Sequence, residues 1–443
     1  MTRASAWLSS GGAAIVLAMA LALPAMGAGP DDWSKVPTKS VTLFYPGQSA
    51  YDWLISPDHK RADKKVMAGD SCVSCHEGEE AEMGNLMVAG GRLEPAPIAG
   101  KNGVIDLAVQ VAYDAENAYF RFQWKTNLNR PGQMHEYMRF DGEKWVFMGG
   151  PRESDEVRSG KEPPIYEDRL AIMVDDGTVP NFAAQGCWLS CHRGMRDMPN
   201  EVSKDAVKAH PLLGDAGLKE SDVRKYLPAS RTDEAASWDK TKSPDEIAKI
   251  KAAGGFLELM QWRAARSNPV GMADDGYVLE YRLSDAGKGP FSWNVDRKTM
   301  TPKYMFDAGK VGVKSLTVAD IGDPSKPFAM IREENAAPYD PNAGWKEGDV
   351  LPGRLLSRAD AEGSAADNGD VKGTWKDGQW TVVFTRRLDT GHPEDDKILQ
   401  IGKAYTFGFA VHDDNVTTRF HQVSFPLSIG FGAKGDIEAT KLN

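Results

Sequence analysis

Residues 72–76 read Cys-Val-Ser-Cys-His, and this short string constrains the chain more than any property of its bulk. Two thiols at that spacing can each add across a vinyl group of one haem, and the adjacent imidazole then falls beneath the iron as proximal ligand. A disulfide needs only the C-x-x-C part, and zinc needs two further ligands at metal-binding spacing. The expectation is a covalent haem on Cys72 and Cys75 with His76 on its iron.

A second string, Cys187-Trp-Leu-Ser-Cys191-His192, is one residue longer. Alone it is weak, because two cysteines four apart also suit a helical pair or a short disulfide loop. The shared ending strengthens it: Ser74-Cys75-His76 matches Ser190-Cys191-His192, and the two strings hold all four cysteines of the chain. We read it as a second covalent haem c, with His192 proximal. The competing reading is a local Cys187–Cys191 disulfide with His192 incidental.

The first residues fit export. Arg3 is followed by the apolar run from Ala13 to Met26, and Ala25-Met26-Gly27 supplies small residues near a cleavage point. Residues 1–27 are therefore expected to be a cleaved signal, since the run falls short of the ~20 apolar residues of a comfortable bilayer span. No later stretch is long and apolar enough to cross a membrane. Export to the periplasm agrees with the cysteine chemistry, because covalent haem is attached outside the bacterial cytoplasm, where cysteines otherwise pair. The formal net charge is −10, and −11 without Arg3. An acidic surface repels nucleic acid and anionic lipid and can steer a basic partner.

Residues 28–97 form a first unit around His76. Its segments 60–67 and 77–87 suit short helices packed on a porphyrin, and Leu93-Glu-Pro-Ala-Pro97 reads as an extended connector. From about Gly103 the period changes to two. Leu107, Val109, Val111 and Tyr113 alternate with smaller or polar residues, and Phe120, Phe122 and Trp124 follow the turn-prone Asp114–Asn117. This predicts an antiparallel hairpin with one buried face. The pattern returns late in the chain. Trp380, Val382 and Phe384 follow an Asp377-Gly378 turn, then come Tyr405, Phe407, Phe409 and Val411, and then His421, Val423 and Phe425. Strands at both ends of a long segment imply a mainly β protein, a β-sandwich or barrel-like core spanning 98–430. Ser243-Pro-Asp-Glu246 is a capping box with proline at the first helical position, so residues 200–265 are expected to be a helical or irregular insertion. Residues 431–443 read as a tail.

Each iron needs a decision about its sixth position: a histidine or methionine there makes an electron carrier, and an open position makes a ligand-binding or catalytic haem. Met195 and Met198 follow His192 too closely to reach round the ring. Met83 and Met87 suit packing against porphyrin or core. His210 and His392 sit beside prolines in polar surroundings. His59, just upstream of the first string, is the first choice for the partner of His76. His421 is the choice for the second haem, with His412 as alternative or as partner of the first haem, and His135 in reserve. His412 and His421 flank one hairpin. A pairing of residue 412 with 418 would put them on opposite faces, and a loop one residue shorter or longer would put them on one face. Paired imidazoles would give lower potentials than His/Met ligation.

Several stretches resemble a known family: Tyr166-Glu-Asp-Arg-Leu170, Phe182 through Cys187 to His192, Gly348-Asp-Val-Leu-Pro-Gly353, Phe409-Ala-Val-His-Asp-Asp414 and Arg419-Phe-His421. They are similar to the haem-binding domain of the γ subunit of ethylbenzene dehydrogenase and related partners of DMSO-reductase-type molybdenum enzymes. The closer likeness is to the c-type cytochrome c-552/DMSO reductase-like haem-binding members. The resemblance covers about residues 103–430 and implies a β-sandwich holding haem at one end for electron transfer. In the γ subunits it implies a b-type haem held by a mid-domain methionine and a late lysine. Here the Cys187–His192 string stands at the first position and His421 or His412 near the second.

The leading expectation is a periplasmic dihaem cytochrome c relaying single electrons from a quinol-side donor to a terminal reductase or molybdoenzyme, through small transient contacts. The alternative is a dihaem enzyme, a peroxidase or small-oxyanion reductase, with one open iron and an acid–base group beside it, for which Glu136 next to His135 is the nearest candidate.

Overall fold

The computed structural model describes residues 29–150, 154–162, 164–192, 201–211, 222–413 and 421–442. The protein is mainly β. One large curled antiparallel sheet takes strands from both ends of the chain, as the two alternating regions predict. Along its main path the order is Asp370–Lys376, Gln379–Arg387, Asn117–Lys125, Val104–Tyr113, Lys39–Phe44, Gln422–Val423, Lys403–His412, Arg169–Asp175, Leu257–Arg263, Gly276–Val278 and Arg282–Ser284.

The period-two residues named from sequence line a single core. Leu107, Val109 and Val111, Phe120, Phe122 and Trp124, Trp380, Val382 and Phe384, and Phe407, Phe409 and Val411 all belong to one buried cluster. Removing one such aromatic, Phe122 for example, would cost about 3–5 kcal/mol. The Asp-Gly turn forms as expected: Lys376 pairs with Gln379, while Asp377 and Gly378 have φ of 52° and 79°, the left-handed pair of a type I′ hairpin.

Three parts depart from the sequence expectation. The 28–97 unit does hold short helices, but Lys39–Phe44 enters the main sheet, pairing Val41 with Leu107 and Leu43 with Ile105. The expected insertion over 200–265 does contain the helix Pro244–Ala252 with both capping-box bonds. Its last part, however, is the strand Leu257–Arg263, buried along its whole length. Both of its faces are covered, so Glu258, Gln261 and Arg263 are inside and no polar alternation marks it. The tail is also tied in, with Thr440–Lys441 pairing beside the Val104–Tyr113 strand.

Residues 134–148 and 291–356 build a smaller unit outside this sheet. A four-stranded sheet (Leu316–Thr317, Asp349–Pro352, Tyr137–Phe140, Trp145–Met148) covers a separate core that includes Tyr137, Met138, Trp145, Phe306, Met330 and Leu351. No helix among the described residues is long and apolar enough to cross a membrane.

The outer face of the main sheet positions the cysteine strings. In Lys403–His412 the odd residues face the core, which leaves Gly408, Ala410 and His412 on the other side. Phe44, Ala410, Val423 and Phe425 on this side pack with Trp188, Leu54, Val66, Cys72 and Val73. That cluster takes in residues of both strings.

Candidate functional site

The first string forms one helical turn, Val73–His76. A turn brings Cys72 and Cys75, three apart, to one side and carries His76 after them. His76 Nδ1–H donates to Glu79 Oε2 at 2.8 Å, one further turn along. His59 lies against Trp53, ring centres 4.7 Å apart, and its Nδ1–H donates to the Leu54 carbonyl at 3.1 Å. The rings of His59 and His76 are 6.2 Å apart and within 14° of parallel. Metal–imidazole bonds are about 2 Å. With about 1.1 Å more from nitrogen to ring centre, two imidazoles on opposite sides of one metal have centres about 6 Å apart. Both Nδ1 atoms are committed to acceptors, which fixes the tautomer that leaves Nε2 as the free lone pair. Burial, reinforced by the neighbouring His76, lowers the basicity of His59 and so favours the neutral, ligating form. Two thiols, an oriented imidazole and a second imidazole at metal-spanning distance fit a covalent haem.

The second string follows the strand Arg169–Asp175. Phe182–Gln185 makes a helical turn and Gly186–Ser190 a 3-10 turn. Gly186 has φ of 58°, and a Cβ there would stand 2.9 Å from Pro426 Cδ. The sulfurs are buried: Cys187 Sγ packs against Gly408, where a Cβ would come within 3.1 Å, and Cys191 Sγ accepts from Lys225 Nζ at 2.8 Å. Burial pushes the Cys187 thiol up to about 12 and the Cys72 thiol up to about 11. Neither is a spontaneous thiolate at neutral pH. His192 is fully buried. Its ring stacks on Tyr226 at 3.6 Å, and its Nε2–H donates to the Tyr226 carbonyl at 2.9 Å. Nδ1 stands 3.8 Å from the Asp52 carboxylate. The donor set suits covalent haem, while ligation through Nε2 requires the ring to leave the Tyr226 carbonyl. Asp52 would then receive Nδ1–H, the usual outer-shell partner of a ligating histidine.

The two strings are tied together by hydrogen bonds. Cys72 N donates to Ala184 O at 3.0 Å and Tyr51 N to Cys191 O at 2.7 Å. Gln185 Nε2 donates to Val66 O at 2.7 Å, and Trp188 Nε1 to Ser49 Oγ at 3.1 Å. The one-turn helix Tyr51–Leu54 stands between them, with Tyr51 and Asp52 on His192 and Trp53 and the Leu54 carbonyl on His59.

His412 and His421 share a face. Ala410 pairs with Val423 and Val411 with Gln422, which sets residue 412 opposite 421, and their rings are 4.8 Å apart. Burial, with His421 and Arg169 nearby, holds His412 well below its ordinary basicity. His135 lies elsewhere, at the smaller unit, buried beside Tyr166, with Arg266 and Arg354 adding to the burial that keeps it neutral. Glu136 is 3.9 Å from Arg354 there. Met83 packs at the edge of the cluster shared by the two strings. His210 donates from Nε2 to the Asp239 carbonyl. Met195, Met198 and the expected signal lie outside the described residues.

Asp52, Tyr226, Lys225 and Trp53 escape sequence reasoning. Tyr226 and Lys225 reach the second string from 34 residues away, and nothing local marks them. Only Glu79, three residues after His76, carried a readable signal.

The chain is 28% identical over 418 residues to cytochrome c-552 of Stutzerimonas stutzeri, covering 94% of this chain and 93% of that protein. It is 28% identical over 173 residues to cytochrome c-551 of Rhodocyclus tenuis, covering 39% of this chain and 60% of that protein. The ethylbenzene dehydrogenase family model matches residues 30–424, a span that includes both cysteine strings, and the chain belongs to that family.

Proposed function

We propose that the chain is an exported dihaem c-type cytochrome that passes single electrons between respiratory-chain donors and a terminal enzyme. The observation that carries this reading is the placement of both Cys-His strings in one hydrogen-bonded unit on the outer face of the sheet, with Tyr51–Leu54 between them. Haem bound there would supply a one-electron couple. Cys72 and Cys75, and Cys187 and Cys191, would hold the two groups by thioether bonds. His76 and His192 would be the proximal ligands, and His59 the distal ligand opposite His76. His421, with His412 beside it, is the candidate for the second sixth position.

The surrounding residues serve transfer rather than bond making. Glu79 and the Leu54 carbonyl orient their imidazoles, which limits reorganisation when the charge on the site changes. Trp188, Phe44 and Phe425 pack against one another in the apolar cluster that also takes in Cys72 and Val73 of the first string. The names of the two cytochrome relatives and the net charge of −10 support a carrier that meets its partners through charge-steered, short-lived contacts. A quinol-side donor and a terminal reductase or molybdoenzyme in the periplasm are the partners this reading implies.

Spectroscopy of the matured protein tests it. Low-spin six-coordinate bands in both oxidation states, unchanged under carbon monoxide, are expected. A high-spin fraction that binds carbon monoxide or turns over peroxide would replace the carrier reading with the dihaem enzyme.

A further inference from the structure

A concentration of cationic groups lies away from the cysteine strings, where the smaller unit meets the main sheet. A cavity of about 20 Å3 is found there, and His135, Glu136, Tyr137, Arg266, Phe328 and Arg354 are among its lining residues. Four guanidinium groups gather near it, those of Arg266, Arg354, Arg169 and Arg263. Burial and then these four charges hold the His135 ring well below its ordinary basicity. Arg169, Arg263 and Arg266 are buried, and only 15% of the Arg354 side chain is exposed.

Three carboxylates face these four cations. Glu167 accepts from Arg266 Nε at 2.6 Å and from the N–H groups of Ala265 and Arg266 at 2.9 and 3.0 Å, and it lies 3.3 Å from Arg169 Nε. Asp274 accepts from Arg263 Nε, while Arg263 Nη2 donates to Gln261 Oε1 at 2.6 Å. Asp168 looks into the main core instead, where Trp380 Nε1 and Gly132 N donate to it at 2.8 and 2.7 Å. Arg354 is left with Glu136 at 3.9 Å, beyond hydrogen-bonding reach. Its guanidinium stands over the Trp293 ring, 3.3 Å from the centre. One more cation than anion is therefore gathered at this joint.

The unused polar groups are an independent observation. His135 is 8% exposed, and its Nδ1 has no hydrogen-bond partner. Arg354 Nε and the Tyr137 hydroxyl are buried without one as well. All three residues line the same cavity. Buried polar groups are normally paired, so three such groups around one cavity mark a place for a guest. Burial, with Arg266 close by, brings Arg354 down to about 9. A water would fit the space but would leave the extra buried charge uncompensated, whereas an anion balances it.

We propose that Arg354, Arg266 and His135 form a structural site for one halide ion, chloride in the native protein. The cavity sets the class of anion. About 10–15 Å3 of such space holds one water. The 20 Å3 here takes a single small sphere and excludes sulfate, phosphate and carboxylates. One monovalent anion also matches the one guanidinium in excess. Arg354 Nε–H and a neutral His135 Nδ1–H would donate to it, with the Tyr137 hydroxyl at the wall. The role follows from the place in the chain. His135 and Tyr137 stand where the chain enters the smaller unit, Arg354 near where it leaves, and Arg266 in the turn that ends the strand Leu257–Arg263. A halide bound there ties the smaller unit to the main sheet.

The inference does not rest on the haem reading, and its readouts are separate. Matured protein is exchanged into sodium gluconate and melted in a calorimeter as sodium chloride, or sodium sulfate, replaces gluconate at constant ionic strength. Crystals grown in gluconate are soaked in millimolar NaBr and measured at the bromine absorption edge. One bromide peak is expected beside Arg354 and His135, with a melting point that climbs and saturates with chloride but not with sulfate. Arg354→Gln should lose both the peak and the saturating response. No bromide at the cavity, a melt indifferent to chloride, or a chloride response kept in full by the variant overturns the proposal. Bromide that binds only at molar concentration, an adventitious ion only, overturns it too, and so does a response to sulfate equal to that to chloride. If the variant does not fold, the bromide map and the chloride response of the unmodified protein decide.

Discussion

Replacement of His59 by alanine separates a ligand from a packing residue. The side chain makes a hydrogen bond, Nδ1–H to the Leu54 carbonyl at 3.1 Å, and its nearer ring contact is with Trp53 at 4.7 Å. The first is worth about 1 kcal/mol and the second about 1 kcal/mol. Set against an unfolding entropy of about 2 cal/mol/K per residue, their loss lowers the melting point by only about 2 °C. The fold therefore survives. Spectroscopically the proposed role makes the effect large, because the ring, 6.2 Å from that of His76, would supply the sixth ligand. His59→Ala should convert one of two haems, roughly half the low-spin intensity, to a high-spin species that binds carbon monoxide. Both haems should remain covalently attached, and added imidazole should restore the low-spin spectrum by filling the space left. Absorption and low-temperature electron paramagnetic resonance spectra of the variant, with and without imidazole, are the assay. An entirely low-spin spectrum in the variant, with its melting point little changed, would refute the assignment of His59 to the iron.

The same assay applied to His421→Ala should give one high-spin haem with both still attached, and an unchanged low-spin spectrum would dismiss His421 as a ligand. Gly373→Ala places a Cβ 2.3 Å from Cζ2 of the fully buried Trp262 and should destabilise the protein by about 1–3 kcal/mol in denaturant titration, whereas a loss under 0.5 kcal/mol would show that the sheet yields there. Ser243→Ala removes the Ser243 Oγ bonds with Glu246 N and Glu246 Oε2 while the Ser243 N–H still donates to Glu246 Oε2, and should cost about 1 kcal/mol. Hydrogen exchange should then quicken in residues 244–252 and stay unchanged in the main sheet; equal protection in both proteins would contradict the capping account.

What the sequence disclosed follows from where water lies. The strands Val104–Tyr113, Asn117–Lys125, Gln379–Arg387 and Lys403–His412 show their inward side as Leu107, Phe122, Trp380 or Phe409, with smaller or more polar residues between, so their period of two was readable. Leu257–Arg263 sits in the same sheet but is covered on both faces, by the main core at Met260 and Trp262 and by the second at Leu257 and Leu259. It was missed for that reason. The smaller unit was missed because its strands are two to four residues long, too short for a period to register. Within the candidate site, the cysteines and following histidines were legible because the chemistry fixes their spacing. The face shared by His412 and His421 depended on a loop register that only the pairing of Ala410 with Val423 decides. The contacts of Tyr226, Lys225 and Asp52 with the second string arise from tertiary packing alone.

The central claim is that Cys72 with Cys75, and Cys187 with Cys191, each carry a haem by thioether bonds. Intact mass of the matured protein under denaturing, reducing conditions tests it most directly. The account predicts the mass of the mature polypeptide plus two haems, falling by one haem when Cys187 and Cys191 are both replaced by serine. A bare polypeptide mass, with the pigment released into acidified acetone, would contradict it.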